Sequence, residues 1–332
     1  MFDIITFGSA TWDISLTLSG KKVKDNADLI VDKGIYLNLG SKISVQDMYF
    51  GFGGGGLNTA TTFKKQGFRV AYCGSIGDDI PGREIIEYLR KTGIDDSFVK
   101  KAKKPTNNSV ILHIPREDRT ILVYRGASEM LKRSDIQWEK LKAPWFYLAP
   151  LSGKLSVLTE DIVNFAKKND IKVLANLGNS QILMAKSKLR NILDKVDILL
   201  LNKEEASLLT EVDYKKEKEI IFKINEMHKG LNVITKGEEG VVVSDGKKIY
   251  EAKLKKFKIK DATGAGDSFG SGFVSGLIKS KYDIEYAIRF GLTNSKHCLL
   301  EQGSTNGLLE ANNDYLVDKE NIRVRQRPCQ MK

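Results

Sequence analysis

Asp261-Ala-Thr-Gly-Ala-Gly-Asp-Ser-Phe-Gly-Ser-Gly272 is the most informative stretch of the chain. A Thr-Gly-Ala-Gly turn runs straight into Asp267-Ser-Phe and a helical pattern that continues through Phe273, Val274 and Leu277. The small residues Gly264, Ala265 and Gly266 let backbone N–H groups converge at a helix N-terminus, where the aligned peptide dipoles also favour an anion. Asp267 places a carboxylate inside that positive site. It is either an acid capping the helix or a general base beside a bound phosphate.

Three other stretches carry compatible chemistry. Asn202-Lys-Glu-Glu205 follows the most apolar strand pattern, at the strand end where α/β folds bind ligands. Asn202 and Glu205 either order a water shell around Mg²⁺ or open a helix as a capping motif. Thr235-Lys-Gly-Glu-Glu-Gly240 ends another apolar run, and its Thr235, Gly237 and Gly240 form either a nucleotide-phosphate loop or a plain turn. Near the start, Gly53-Gly-Gly-Gly-Leu-Asn58-Thr-Ala precedes a helix; the glycines allow close approach to a ligand and Asn58 offers donors and acceptors to hydroxyls. The literal GxGxxG at 51–56 comes after several β segments and lacks a ribose-binding acid about 20 residues on, which speaks against a dinucleotide site. No GxxxxGK[ST] is present, which excludes a P-loop.

Around these stretches, apolar strand patterns alternate with amphipathic helices. Helices are expected over about 82–92, 155–168, 181–194 and 217–229, and strands at 2–7, 171–175, 197–201, 233–235 and 241–243. That order predicts an α/β fold with a mostly parallel sheet covered on both faces. The half-polar β patterns over 14–50 and 106–125 do not fit such a sheet and read as a small lid; Val110–Ile114 and Thr120–Tyr124 flank a charged turn as a hairpin. Lys253–Lys260 alternates Leu254, Phe257 and Ile259 with lysines and reads as a strand with one wet face. A basic tail is expected over 311–332, and its end, Arg323–Lys332, reads as loose.

Composition narrows the function classes. Among 332 residues, 41% hydrophobic and 29% charged matches an ordinary globular protein and excludes fibrous repeats. No apolar run approaches the ~18 residues of a membrane helix, and the first residues lack a basic signal-peptide region, so the expected location is the cytoplasm without a membrane partner. Cys73, Cys298 and Cys329 are too few and too scattered for a disulfide framework or a zinc site. The charge balance of 53 Lys and Arg against 42 Asp and Glu gives +11, which suits an anionic partner. The lysines are scattered and accompany no reading element, so no specific nucleic acid is expected.

Taken together, these motifs resemble the ribokinase-like (PfkB) family of carbohydrate and nucleoside kinases over about residues 3–310. The resemblance implies a three-layer α/β/α sandwich with a β lid, as one kinase domain over 1–310 followed by the tail. It implies Asp267 as catalytic base and Gly264, Ala265 and Gly266 as its anion hole. Asp13, in Gly8-Ser-Ala-Thr-Trp-Asp13, matches the acid that holds sugar hydroxyls, joined by Gly53, Gly54 and Asn58. ATP falls to Thr235, Gly237 and Gly240, with Asn294 from the run Gly291–Cys298, which replaces the family's usual small-residue run beside the adenine. Mg²⁺ falls to Asn202 and Glu205 through water, and K⁺ to Asp261 and Thr263. A homodimer through the lid is also implied.

The departures concern the acceptor. Gly55 stands where ribokinases place Lys, and Asn176-Leu-Gly-Asn-Ser180 lacks the Arg of Asp-Pro-Asn-x-Arg. The expected activity is ATP-dependent phosphorylation of a hydroxymethyl group on a neutral small sugar. The alternatives are a nucleoside kinase of the same fold, or a catalytically inactive binding module.

Overall fold

The computed structural model describes residues 1–18, 23–25, 33–114, 119–320 and 322–330. The chain enters through strand β1 (Ile4–Phe7) and runs out into β2 (Thr11–Leu18), β3 (Val23–Asp25), β4 (Lys33–Ile35) and β5 (Val45–Gly53). Helix α1 (Gly55–Lys65), β6 (Val70–Gly77), α2 (Ile80–Thr92) and β7 (Val99–Ala102) follow, and β8 (Asn107–His113) and β9 (Thr120–Tyr124) turn outward again. From β10 (Trp145–Leu148) onward the chain alternates α3 (Leu158–Lys168), β11 (Lys172–Asn176), α4 (Asn179–Ile182), α5 (Lys186–Leu193) and β12 (Ile198–Asn202). Then come α6 (Lys203–Thr210), α7 (Glu217–Met227), β13 (Leu231–Thr235), β14 (Val241–Ser244) and β15 (Lys248–Ala252). The last elements are α8 (Ala265–Lys279), α9 (Ile284–Leu299), α10 (Tyr315–Lys319) and β16 (Arg325–Pro328).

The main sheet has the order β16-β15-β14-β13-β12-β11-β10-β1-β6-β7. It is parallel from β7 to β13 and antiparallel from β13 to β16. Its strands are apolar at nearly every position because helices cover both faces. Alternate side chains feed two separate cores. Ile5 and Phe7 pack with Ile162, Ile192 and Ile221 of α3, α5 and α7, whereas Ile4 packs with Leu57, Leu89 and Phe273 of α1, α2 and α8. The expected three-layer α/β/α sandwich is therefore present.

A second sheet of order β5-β2-β8-β9 forms the lid, from the two stretches whose half-polar pattern set them apart. Strands β8 and β9 pair antiparallel as the expected hairpin, whose turn at 115–118 lies outside the described residues. A small core of Leu18, Leu112 and Ile114 supports this sheet. Among the described residues, no helix is long and apolar enough to cross a membrane.

Three expectations need correction. Residues 253–260 form no strand, because β15 ends at Ala252 and both its edges are already taken by β14 and β16; the apolar residues of this run instead anchor a loop, with Leu254 packed on the core and Lys296 over the Phe257 ring. The helix expected over 181–194 is broken between α4 and α5. The fully buried Gln181 side chain fixes the start of α4, accepting from Leu151 N and Gly178 N and donating to Thr159 Oγ1. The tail is not loose. Val317 is buried against Phe290 and Leu309, and β16 extends the sheet along β15, with Arg327 paired to Glu251.

Candidate active site

The C-terminal ends of the parallel strands and the underside of the lid converge on the first turn of α8. Gly264 caps that helix in the left-handed region at φ 78°, and a Cβ there would stand 2.5 Å from the Cβ of Ser304. The first amides of a helix have no acceptor within it, and nothing lies within 4 Å of the position a Gly266 Cβ would take. The positive end of a fifteen-residue helix thus opens onto free space, with Asp267 in its first turn.

Asp267 lines a cavity of about 220 Å³ under the lid, with Ser9, Thr11, Asn107, Arg125 and Ser128 among its walls. Burial pushes its carboxyl upward, and a hydrogen bond from Asn58 opposes that shift. Asn58 Nδ2 donates to Asp267 Oδ2 at 2.8 Å, while Asn58 Oδ1 accepts from Ser304 Oγ at 2.9 Å. Asn58 is only 4% exposed and both ends of its amide are engaged. Asn58 thus braces Asp267, and one N–H and one lone pair of its amide are left beyond these two bonds.

Asp13 reaches the same region from lid strand β2. Burial pushes its carboxyl up to about 6; a hydrogen bond from Ser109 opposes this, and the like charge of Asp261 adds to it. Gly53, on the adjacent strand β5, has no side chain to compete with that carboxylate for space. Gly54 is the N-cap of α1 at φ 90°, and the next residue, Gly55, keeps the floor open: a Cβ on it would come 3.2 Å from Asp267 Oδ1.

The other expected residues lie along neighbouring strand ends. Asn202 and Thr235 are register partners at the C-terminal ends of β12 and β13. Asn202 Oδ1 accepts from Glu205 N and Glu205 Oε2 accepts from Asn202 N, each at 2.8 Å, so the pair forms the capping box of α6. Burial pushes the Glu205 carboxyl up to about 6, helped by the charge of Glu204. Gly237 and Gly240 bound a short 3₁₀ turn after Thr235, both at positive φ.

Asp261 is 5% exposed. Burial raises its carboxyl, but donors from Gly303 N and from the amide and hydroxyl of Thr263 outweigh this and leave it below the usual range. Asn294 is placed otherwise than expected. It is fully buried, its Nδ2 donating to Ser268 O and its Oδ1 accepting from Leu309 N. It ties α8 to α9 and presents no group to a nucleotide.

Three residues of the cavity wall carried no signal in the sequence: Asn107, Ser128 and Arg125. Asn107 and Ser128 brace each other, Asn107 Nδ2 donating to Ser128 Oγ and Ser128 N to Asn107 Oδ1. Arg125 extends its exposed side chain from the loop after β9 into the cavity wall.

This arrangement has counterparts among known proteins. Over 301 residues the chain is 28% identical to a ribokinase of Haemophilus influenzae, covering 85% of this chain and 92% of that protein. It is 28% identical over 256 residues to a cytidine kinase of Thermococcus kodakarensis, covering 76% and 88%. The structure of Arabidopsis thaliana ribokinase complexed with ribose and ATP superposes at a TM-score of 0.77 with 20% identity, over 95% of this chain and 98% of that one. The family described as pfkB family carbohydrate kinase matches residues 24–312, a span that includes the proposed base, helix α8 and most of the lid; the chain belongs to that family.

Proposed function

We propose that this protein transfers the terminal phosphoryl group of ATP to a hydroxymethyl group of a small neutral sugar. The observation that carries this reading is Asp267, a carboxylate that lines a pocket under the lid and stands in the first turn of a helix whose N-terminus is free to hold a phosphate.

In this reading Asp267 accepts the proton of the attacking hydroxyl as the new O–P bond forms. Asn58 holds the carboxylate in place, and Asp13 accepts hydrogen bonds from other acceptor hydroxyls. The amides of Gly264, Ala265 and Gly266 stabilise charge on the transferring group. Thr235, Gly237 and Gly240 cradle the nucleotide phosphates, and the lid keeps out water that would compete as acceptor.

The hard oxygens of Asn202 and Glu205 fit Mg²⁺ held through its water shell, and the ion would neutralise phosphate charge. Asp261 uses three of about four carboxylate acceptor sites within the protein, which leaves one for K⁺ beside Thr263. The lid also supports a homodimer. Strand β9 is an unpaired edge whose Ile121, Leu122, Val123 and Tyr124 are 40–56% exposed, and a second copy of the same sheet is the complementary surface. Leu122→Lys is expected to shift the sedimenting species from dimer to monomer; a wild type that sediments as a monomer rules the dimer out.

A second reading follows from Arg125. Its guanidinium at the cavity wall suits an acceptor that also carries a carboxylate or phosphate. ATP consumption measured with neutral pentoses and hexoses, sugar acids, sugar phosphates and nucleosides separates these cases. The neutral reading requires the fastest rate with a neutral sugar. A sugar phosphate or acid turned over faster supports the Arg125 reading, and no consumption with any acceptor returns the protein to an inactive binding module.

A further inference from the structure

The parallel sheet carries a second pocket, at the end away from Asp267. The first residues of four neighbouring strands line it: Trp145 opens β10, Lys172 opens β11, Ile198 opens β12 and Leu231 opens β13. Trp145 and Lys172 are register partners, and so are Ile198 and Leu231. Leu277 near the end of α8 and Ile284 at the start of α9 close one side. Its volume is about 370 Å³, against about 220 Å³ for the pocket under the lid, so a small organic molecule has room in it.

The turn between α8 and α9 reaches over this pocket. Lys281 and Tyr282 both stand in the left-handed region, at φ 55° and 76°, a costly conformation for two successive residues with side chains. Tyr282 N donates to Leu277 O at 2.7 Å and Lys281 N to Ile278 O at 3.4 Å, a helix ending that usually has glycine in the place of Lys281. The bend sets the Tyr282 ring against Trp145, with centroids 6.2 Å apart and planes 28° from parallel. The Lys172 ammonium lies 4.0 Å from the Tyr282 centroid and 5.7 Å from that of Trp145, and it donates to the Tyr282 hydroxyl.

Two exposed groups of opposite charge stand at the rim. Lys172 has three N–H donors and gives one to Tyr282. Asp197, just before β12, accepts from Val173 N at 2.8 Å through Oδ2. That bond holds its carboxylate beside the strand that Lys172 opens and leaves Oδ1 for another donor. Among the described residues, neither Lys172 nor Asp197 has an ion-pair partner.

We propose that this pocket binds an apolar α-amino acid. The floor of Trp145, Ile198, Leu231 and Leu277 takes the side chain, Lys172 donates to the carboxylate, and Asp197 accepts from the ammonium. Charge selects the zwitterion. Asp197 repels a purely anionic ligand, Lys172 repels a purely cationic one, and a neutral ligand satisfies neither group. Strand β10 starts at this pocket and runs to Pro150 in the wall of the pocket under the lid, so the amino acid does not compete with the proposed acceptor.

The test is the indole N–H signal of Trp145, followed by NMR in the full chain and assigned by its loss in Trp145→Phe. Titration with L-phenylalanine is expected to shift it saturably while the signals of Trp12 and Trp138 stay in place. Glycine, which has no apolar body, should leave it unmoved. Hydrocinnamate lacks the ammonium and phenethylamine lacks the carboxylate, and each is expected to bind at least about tenfold more weakly, the usual loss when a hydrogen bond between charged groups is removed. Lys172→Met is expected to weaken L-phenylalanine about tenfold without weakening phenethylamine. Asp197→Asn is expected to weaken L-phenylalanine about tenfold without weakening hydrocinnamate. Both side chains are exposed, so each variant alters a surface group only.

A Trp145 signal that L-phenylalanine does not move overturns the proposal, and so does binding that survives both variants. A shift with glycine equal to that with L-phenylalanine removes the apolar floor from recognition and overturns it too. Tighter binding of hydrocinnamate or phenethylamine than of L-phenylalanine gives the pocket to an acid or an amine instead.

Discussion

A Cβ placed on Gly53 would stand 2.0 Å from Oδ2 of Asp13, so the two lid strands bring the carboxylate proposed to bind the acceptor against a position where any side chain displaces it. Gly53→Ala is expected to raise the acceptor KM about tenfold, since overpacking of this kind costs ~1–3 kcal/mol. The nucleotide KM should hardly move. Steady-state kinetics with each substrate varied in turn checks this, and an unchanged acceptor KM refutes the role given to Asp13.

Asp267→Asn is expected to lose at least about 10²-fold in kcat, the usual contribution of a positioned base. Acceptor affinity, measured calorimetrically without turnover, should stay within a few-fold because the side chain keeps its shape. Near-normal turnover is the outcome that removes Asp267 from the chemistry.

The Asp13 carboxyl titrates near 6 in the folded protein against an ordinary value of 3.8, chiefly through burial. A raised carboxylate means that the folded state binds its proton more tightly than the unfolded chain. Its cost to stability is therefore complete above pH 6, shrinks as pH falls toward 3.8, and is absent below that. Asp13→Asn is expected to raise the thermal midpoint by a few degrees at pH 8 and to leave it unchanged at pH 4. The wild-type acceptor KM should rise as pH falls through 6, when the carboxylate stops accepting from hydroxyls. A KM flat from pH 5 to 8 would count against this assignment.

Potassium should accelerate the reaction relative to a bulky organic cation at equal ionic strength, with Asp261→Asn abolishing the difference. Equal wild-type rates in the two salts leave Asp261 as a brace for the turn alone.

The sequence made the large elements and the motif residues legible because each rests on local chemistry. Apolar runs such as Ile198–Leu201 need only their own pattern to read as buried strand, and Gly264–Asp267 needs only a following helix to read as an anion site. The hydrogen bonds of Asn58 and Asn294 were not legible for one shared reason. An amide that binds a ligand and an amide that ties two helices together look the same until the distant partners are known, here Asp267 and Ser304 for one, Ser268 and Leu309 for the other. Arg125 follows a strand with four exposed apolar residues, and no local pattern says which cavity it joins. Lys253–Lys260 alternates as a strand should, but alternation does not reveal that the neighbouring edges are occupied.

The line from Asp267 through Asn58 to Ser304 also sets a timetable. Asn58 and Ser304 lie 246 residues apart, so a chain growing at ~5–20 residues per second synthesises the second roughly 12–50 s after the first. Strand β1, made at the outset, sits between β6 and β10 and waits for residue 145 to gain its second neighbour. A ribosome-bound intermediate can thus hold the glycine-rich turn and much of the parallel sheet before Asp267 and Ser304 exist. The site proposed for phosphoryl transfer is therefore completed only after the sheet and the glycine-rich turn on which it is built.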